Sequence, residues 1–383
     1  MLGCSGSVGS QALSILAEHR DRFEVVLLSA HTGAGPLAAA AVVHPPRATC
    51  LTGATTTATT PPANCRHFTG ADGLLAALDF TAPDLVLNAI TGAAGLAASE
   101  WTLRAGKSLA LANKESLVIA GEYLMPLARR SGAAILPVDS EHCAIHQCLR
   151  GEPDRAVRRL WLTGSGGPFR TRPLATFASI TLQEALRHPT WTMGQRITIG
   201  SATMMNKAFE VIEAHWLFGV GGDRIQVVLH PQSIVHSMVE FIDGSMLAQC
   251  GVPDMRVPIL YCLGHPERLP FAFAPFDPLR WQSLEFEPLD PARYPALALA
   301  WRCLELGGDS GARLNAADEV ATAAFLAGQI PFPRIVTTVA EVLAAAPIRP
   351  IHSLQDVLDA DAEARSLAAS LLQKQTVVTP RES

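Results

Sequence analysis

Charged residues are scarce in this sequence, and positive charge is not in excess. Charged side chains make up 17% of the 383 residues, and the net charge is −5 with an isoelectric point near 6.2. Such a chain has no overall attraction to nucleic acid or to an anionic membrane, so any anionic ligand must be held by a local site. We therefore expect a small molecule as partner, and neither nucleic acid nor a membrane.

Long apolar runs and paired cysteine motifs are also missing. No apolar segment approaches the roughly 18 residues of a membrane-spanning helix, and no charged segment precedes an apolar one at the start. The eight cysteines are widely spaced and never form a C-x-x-C pair, which argues against a zinc site or a redox motif. We interpret them as reduced thiols of a cytoplasmic protein.

Apolar residues, by contrast, are abundant enough to build sizeable cores. They make up 49% of the chain, whose length predicts two or three domains. In residues 1–139, short β-rich runs alternate with Ala/Leu-rich helical patterns, which predicts a Rossmann-like parallel sheet wrapped by helices. The segment 40–70 has little periodicity, and we expect it at the periphery of this sheet. The β-rich runs are residues 23–30, 84–90, 107–113 and 133–139.

The remainder of the chain divides into three parts. Residues 140–265 combine β-rich runs with one clear helix and predict a central α/β catalytic domain. Residues 266–293 contain six prolines and predict a linker. Residues 294–383 carry helical patterns and predict a C-terminal helical bundle. The predicted fold class is therefore α/β with a helical C-terminal domain.

A glycine-rich segment opens the chain. Gly3, Gly6 and Gly9 precede a helical pattern at about 10–19. Glycines let the backbone approach a pyrophosphate, and a helix N-terminus supplies N–H donors, although the same spacing also occurs in ordinary tight turns. Only two residues precede Gly3, whereas a dinucleotide-binding fold needs a strand of about five residues there. We expect the natural start to lie upstream.

Two carboxylates stand close together after the run 133–139. In extended backbone, residues two apart project from the same face, so Asp139 and Glu141 would lean toward one point and attract a cation. Downstream, residues 201–218 predict one helix with an apolar stripe on the core. Its opposite side carries Asn206, Lys207 and Glu210, with Ser201 near the N-terminus. This order is suited to a phosphate near Ser201, Asn206 and Lys207 and a metal at Glu210. Alternatively, Lys207 and Glu210 would form an ordinary surface ion pair.

Three further segments permit two interpretations each. The loop in "LTGSGGPF" (162–169) brings Ser165 to an anion, or is a simple turn. "HPTWTMG" (188–194) has the composition of a mobile lid, or of an Ω-loop. Lys114 follows a strand end, where ligands of open α/β sheets bind, or is a surface lysine at a helix start.

Together these segments resemble 1-deoxy-D-xylulose 5-phosphate reductoisomerases. The resemblance is carried, in chain order, by "LANKESLV", "PVDSEH", "LTGSGGPF", "HPTWTMG", "SATMMNKAFEVIEA" and "HPQSIVHSMVEFIDGSMLAQCGVPDMR". It is strong from about 84 to 268, moderate through "LNAADEVATAAFL" (314–326) and thin before residue 80. It implies NADPH, a divalent cation (Mn²⁺, Mg²⁺ or Co²⁺), a sugar phosphate substrate and a homodimer. The implied reaction isomerises and reduces 1-deoxy-D-xylulose 5-phosphate to 2-C-methyl-D-erythritol 4-phosphate.

The resemblance also implies a role for individual residues. The metal ligands would be Asp139, Glu141 and Glu210, and the catalytic residues would be these three with Lys114 and His188. The substrate would contact Lys114, Ser140, Glu141, Ser165, His188, Trp191, Ser201, Asn206, Lys207 and Glu210, with Trp191 on the lid. NADPH would contact Gly3, Ser5, Gly6, Ser7, Val8, Gly9, Asn113, Glu115 and Gly194.

Two departures from the family pattern limit these expectations. The segment 30–35, "AHTGAG", lacks the basic residue or asparagine often found near the NADPH 2′-phosphate, so the preference for NADP over NAD is open. Gly200 replaces an acidic residue, which would loosen the helix entry. Two other interpretations remain: a shortened, non-catalytic relative, and another NAD(P)-dependent dehydrogenase, such as a homoserine dehydrogenase relative.

Overall fold

The computed structural model describes residues 1–53, 64–187, 194–270, 272 and 274–376. The chain forms two compact units, each assembled from three stretches. The first unit contains Met1–Asn113, Pro126–Cys143 and Asp254–Ala274, and the second contains Lys114–Met125, Ala144–Pro253 and Pro275–Ser383. This interleaving differs from the contiguous domains expected from the sequence.

Ten strands and fourteen α-helices make up the described chain. The strands are β1 Leu27–Ala30, β2 Ala48–Leu51, β3 Arg66–Thr69, β4 Leu85–Asn88, β5 Ser108–Leu111, β6 Ile135–Pro137, β7 Val157–Gly164, β8 Ile225–Leu229, β9 Val235–Phe241 and β10 Met246–Cys250. The helices are α1 Ser7–Glu18, α2 Ala34–Val43, α3 Gly70–Thr81, α4 Leu96–Arg104, α5 Glu115–Ser131, α6 Ser140–Cys148, α7 Leu182–Ala185, α8 Gln195–Thr203, α9 Met205–Phe218, α10 Arg256–Gly264, α11 Pro295–Leu306, α12 Ser310–Leu326, α13 Arg334–Ala344 and α14 Leu354–Thr376.

Parallel strands form the centre of the first unit. β1, β2 and β3 pair in that order, as do β4, β5 and β6. Leu2 makes parallel bridges to Ser29 of β1 and Asn88 of β4, so it joins the two groups of strands. The order β3-β2-β1-Leu2-β4-β5-β6 is that of a doubly wound α/β fold, with Leu2 in the position of the first strand. The predicted Rossmann-like sheet is confirmed.

Two of these strands lie in the segment 40–70, where the sequence showed little periodicity. All four residues of β2 are buried, and β3 is exposed at both ends. Neither pattern alternates, because β2 is covered on both faces and β3 is an edge strand. Such short strands give too little periodicity to be recognised from the sequence.

Apolar side chains pack against this sheet in two clusters. One core cluster joins Ile15 of α1 and Ile259 of α10 to Leu87 and Leu136 of the strands. A smaller cluster includes Leu28, Leu37 and Leu51. The core therefore fixes the strand ends from which the loops of the site emerge.

A four-stranded sheet and a group of helices form the second unit. The strand order is β10-β9-β7-β8, with β9 antiparallel to β7 and β10, and β8 parallel to β7. Glu287 pairs with Leu229 of β8 through two backbone hydrogen bonds of 2.9 and 3.0 Å, so part of the predicted linker 266–293 extends this sheet. The C-terminal helices α11–α14 match the predicted helical region. Among the described residues, no helix has the length and apolarity needed to cross a membrane.

Candidate functional site

The glycine-rich loop follows Leu2 at the point where the strand order reverses. Gly3 has φ +76°, and a Cβ there would lie 2.6 Å from the Ala89 carbonyl oxygen. A Cβ on Gly9 would lie 2.3 Å from the Gly3 carbonyl oxygen. Both glycines are thus required by close backbone packing, as expected where a helix meets a dinucleotide-binding sheet.

Around these glycines, the backbone is arranged for anion binding. Helix α1 begins at Ser7, earlier than the expected start near residue 10, so Ser7, Val8 and Gly9 form its first turn. Ser5, Gly6 and Ser7 are exposed and Val8 is half-buried. A helix N-terminus with exposed glycine and serine is suited to a pyrophosphate.

Asn113 and Glu115 follow the end of β5. Asn113 is buried, and its amide nitrogen donates to the carbonyl oxygens of Ile90 at 2.6 Å and Gly92 at 2.9 Å. It therefore holds the loop that follows β4. Glu115 is the first residue of α5, and Gly194 is the exposed residue that precedes α8.

The two neighbouring carboxylates are not in extended backbone, so that expectation was wrong. Asp139 lies in a bend after β6, and Glu141 lies in the first turn of α6. The Asp139 carboxylate accepts a hydrogen bond from the Glu141 backbone N–H at 3.3 Å, as an N-cap does, because aspartate is a favoured helix-starting residue. Ser140 donates to the Glu141 carboxylate at 2.6 Å. The cap still leaves two carboxylates side by side, which suits a hard cation.

The predicted helix 201–218 is two helices. Met204 has φ +61° and separates α8 from α9, so Ser201 lies in the last turn of α8 and not at a helix N-terminus. A left-handed residue cannot continue an α-helix, and the sequence "TMMN" contains no glycine to signal it. The expected apolar stripe is buried as predicted, with Met205 and Phe209 0% and 5% exposed.

The polar side of α9 is buried as well. Glu210 is 1% exposed, and its carboxylate accepts from Lys114 Nζ at 3.1 Å, from Asn206 Nδ2 at 2.5 Å, and from Lys207 Nζ. The Lys207–Glu210 ion pair exists but is not a surface pair. These four side chains carry one net positive charge in a buried position. Buried charges are expensive in free energy, so their concentration here indicates function.

Ser165 and Ser201 lie beside this cluster. A Cβ on Gly164 would lie 3.1 Å from Lys207 Cε, and a Cβ on Gly167 would lie 2.8 Å from the Ser201 carbonyl oxygen. The loop after β7 therefore packs directly on α8 and on the Lys207 side chain. The loop that carries Ser165 therefore lies next to the chain segment of Ser201, Asn206 and Lys207, and these are the four residues expected at a phosphate.

Other sequence expectations have a different outcome. His188 and Trp191, on the predicted lid 188–194, lie outside the described residues. Gly200 lies within α8, where an added Cβ would be no closer than 3.6 Å to Asn206, so glycine is not required there by packing. The expected loosening of the helix is not visible, since α8 continues through Gly200 to Thr203.

An ionic network around Arg196 was missed by the sequence analysis. The Arg196 guanidinium contacts the carboxylates of Glu319 at 3.0 Å and Glu115 at 3.3 Å, and the Asn315 amide oxygen at 3.1 Å. Asp318 lies 3.9 Å away, and burial raises its pKa to about 6. The signal available was the segment 314–319, "LNAADE", which places three polar residues in an alanine-rich helix.

Comparison with known proteins identifies related sequences over most of the chain. Residues 1–121 match a family model described as 1-deoxy-D-xylulose 5-phosphate reductoisomerase, and residues 135–218 and 250–367 match models of C-terminal domains of the same enzyme. The reductoisomerase of Anaeromyxobacter dehalogenans is 49% identical over 95% of this chain and 94% of the relative. That of Paraburkholderia phytofirmans is 47% identical over 97% and 95%.

Solved structures agree with these sequence matches. The Zymomonas mobilis reductoisomerase in complex with NADPH has a TM-score of 0.88 and 40% identity, covering 97% of each chain. A reductoisomerase crystallised with NADPH, fosmidomycin and magnesium has a TM-score of 0.89 and 35% identity, covering 98% of each chain. The interpretations as a non-catalytic relative and as another dehydrogenase gain no support.

Proposed function

Because this chain belongs to the 1-deoxy-D-xylulose 5-phosphate reductoisomerase family, we propose which of its residues carry out the reaction of that family. The protein is an NADPH-dependent enzyme that converts 1-deoxy-D-xylulose 5-phosphate to 2-C-methyl-D-erythritol 4-phosphate with the help of a divalent cation. It serves the non-mevalonate route to isoprenoids. The assignment below concerns the side chains, and the buried Glu210 cluster is the observation that carries it.

The divalent cation is assigned to Asp139, Glu141 and Glu210. Each offers a carboxylate oxygen, the ligand that Mg²⁺ and Mn²⁺ prefer. Asp139 and Glu141 are adjacent at the start of α6, and Glu210 is held by Lys114, Asn206 and Lys207. The cation would supply Lewis-acid chemistry at the substrate oxygens. The resemblance to the family and the chemistry of this donor set support the assignment.

The substrate phosphate is assigned to Ser165, Ser201, Asn206 and Lys207. Two hydroxyls, an amide and an ammonium group provide the donors that a phosphate dianion requires. The Lys207 side chain is buried and lies against Gly164. This packing fixes the long side chain before the substrate binds. A preorganised, desolvated ammonium group binds phosphate more strongly than a mobile surface lysine does.

The remaining substrate contacts are assigned to Ser140, Lys114, His188 and Trp191. Lys114 is fixed against Glu210, so its ammonium group is placed at the same cluster as the phosphate donors. Ser140 is placed by its hydrogen bond to Glu141. His188 and Trp191 are assigned from the family resemblance, with Trp191 as an apolar cover that excludes water.

NADPH is assigned to the loop Gly3, Ser5, Gly6, Ser7, Val8 and Gly9, with Asn113, Glu115 and Gly194. The close packing at Gly3 and Gly9 and the exposed first turn of α1 fit a pyrophosphate. The solved relatives bind NADPH, which favours NADP over NAD despite the unusual segment 30–35.

The assignment is tested by NADPH oxidation with 1-deoxy-D-xylulose 5-phosphate, with and without Mg²⁺ or Mn²⁺. The Glu210→Gln variant should keep its fold, measured by circular dichroism, and lose most metal-dependent turnover, because an amide is a poorer ligand for a hard cation. Near wild-type turnover in this variant, with the usual metal requirement, would refute the assignment of Glu210.

A cytoplasmic homodimer completes the proposal. All eight cysteines are free thiols, as expected in a reducing compartment. Strand β10 lies at one edge of its sheet and exposes Met246 and Leu247, which are 47% and 46% exposed. An apolar, accessible strand edge is suited to pairing with a second copy of the chain.

A further inference from the structure

Arg196 joins three separate helices of the second unit. It is the second residue of α8, and its guanidinium lies 3.3 Å from Glu115 at the start of α5 and 3.0 Å from Glu319 of α12. A further nitrogen donates to the Asn315 amide oxygen of α12 at 3.1 Å. The Arg196 side chain is 23% exposed and that of Glu115 is 11% exposed. These contacts are shielded from water and therefore stronger than surface ion pairs.

The network extends from α12 to the C-terminal helix. Arg365 of α14 contacts the Glu319 carboxylate at 2.5 Å and the Asp361 carboxylate at 2.6 Å. Burial alone would raise the pKa of Glu319, but the charges of Arg196 and Arg365 lower it overall. Glu319 is thus ionised between two guanidinium groups. The chain Arg365, Glu319, Arg196, Glu115 links α14 to α5 without a break.

On the other side, the network ends next to the Glu210 cluster. Glu115 directly follows Lys114, whose ammonium group lies 3.1 Å from the Glu210 carboxylate. Helix α8, which carries Arg196 at its start, carries Ser201 in its last turn, and Met204 connects it to α9. Arg196 therefore contacts the start of α5, next to Lys114, and belongs to α8, which carries Ser201.

We propose that Arg196 is a positioning residue, which holds the starts of α5 and α8 against α12 so that Lys114 and Ser201 keep their places. This inference rests on the residue roles proposed above. Arginine is suited to the task because its planar group contacts Glu115, Glu319 and Asn315 at once, whereas the ammonium group of a lysine is a single point charge. The C-terminal helices thereby influence the site, although none of the residues assigned above lies on them.

The test compares Arg196→Gln with wild type in the full-length protein. Loss of positioning should lower kcat about ten- to a hundredfold, because small displacements of reacting groups are costly. KM for the sugar phosphate should rise severalfold, because Ser201 and Lys114 are proposed substrate contacts, whereas the circular dichroism spectrum should be unchanged. Adding Glu319→Gln to Arg196→Gln should lower kcat less than twofold further, since both changes break the same contact.

Arg334→Gln is the matched control. Arg334 of α13 is 10% exposed and pairs with Glu341 in the same unit, with two contacts of 2.5 and 2.8 Å. The Arg334→Gln variant removes a comparable ion pair outside the network, and its kcat should stay within twofold of wild type. Arg196→Lys provides a milder variant, which should show an intermediate kcat.

Several outcomes would overturn the inference. A kcat of Arg196→Gln within twofold of wild type would do so, and so would a kcat of Arg196→Lys no higher than that of Arg196→Gln. The inference would also fail if the losses of kcat caused by Arg196→Gln and Glu319→Gln were fully additive as free energies in the double variant. It would fail as well if Arg334→Gln lost as much kcat as Arg196→Gln. An inactive wild-type enzyme would instead refute the proposed function.

Discussion

The buried carboxyl group of Asp318 makes the stability of the protein depend on pH in an unusual direction. Asp318 is 3% exposed on α12, and burial raises its pKa from 3.8 to about 6, against the attraction of Arg196. The folded protein therefore holds a proton that the unfolded chain has released between about pH 4 and pH 6. Stability is highest when the group is protonated and falls as pH rises through this window.

The size of the effect follows from the raised pKa. A pKa raised from 3.8 to about 6 corresponds to about 3 kcal/mol of unfolding free energy, lost completely above about pH 7 and about half lost at pH 5. Asn resembles the protonated acid, so Asp318→Asn removes the ionised form. The variant should exceed wild type in stability by about 3 kcal/mol at pH 8 and by about half of that at pH 5.

Urea unfolding of the full-length protein, followed by circular dichroism at pH 5 and pH 8, measures this difference. Asp356→Asn is a control of opposite sign. The pKa of Asp356 is lowered, because its carboxylate accepts from the backbone N–H groups of His352 and Ser353 and from the Ser353 hydroxyl. That variant should be less stable than wild type at pH 8. If the advantage of Asp318→Asn is the same at both pH values, or negative at pH 8, the assigned burial of Asp318 is incorrect.

Two further predictions concern binding and assembly. Gly9→Ala places a Cβ 2.3 Å from the Gly3 carbonyl oxygen, so it should weaken NADPH binding by about tenfold or more in a fluorescence titration. Gly73→Ala, whose Cβ comes no closer than 3.5 Å to Phe68, should leave affinity unchanged, and equal affinities in both variants would contradict the argument. Leu247→Lys puts a charge on the β10 edge and should shift the mass by light scattering toward the 40.7 kDa monomer; an unaltered dimer would exclude this edge as the contact.

Strands in continuously apolar runs could be predicted from the sequence, whereas the breaks and caps of helices could not. The runs at 84–90 and 107–113 became β4 and β5 because strands buried on both faces are continuously apolar. The break at Met204 was missed, because its left-handed conformation is set by the packing of α8 and α9 and not by a glycine. Asp139 was placed in extended backbone because the capping role of an aspartate was overlooked.

The candidate site shows the same division. Ser165, Ser201, Asn206 and Lys207 could be proposed as phosphate contacts because each lies in a motif that carries the family resemblance. The network of Arg196 was not recognised, because its members are spread along the chain from Glu115 to Arg365 and only tertiary packing unites them. Glu115 and Glu319 illustrate this, since each meets Arg196 from a different helix.

The interleaved course of the chain restricts how this protein can be rearranged during evolution or by engineering. Asn113 and Lys114 are consecutive, yet they belong to different units, and each unit recruits three stretches of chain. No single cut yields either unit intact, so the first unit cannot be transferred to another protein as one continuous segment. A gene fusion or a circular permutation would have to preserve every point at which the chain passes from one unit to the other. This favours inheritance of the whole chain as one piece.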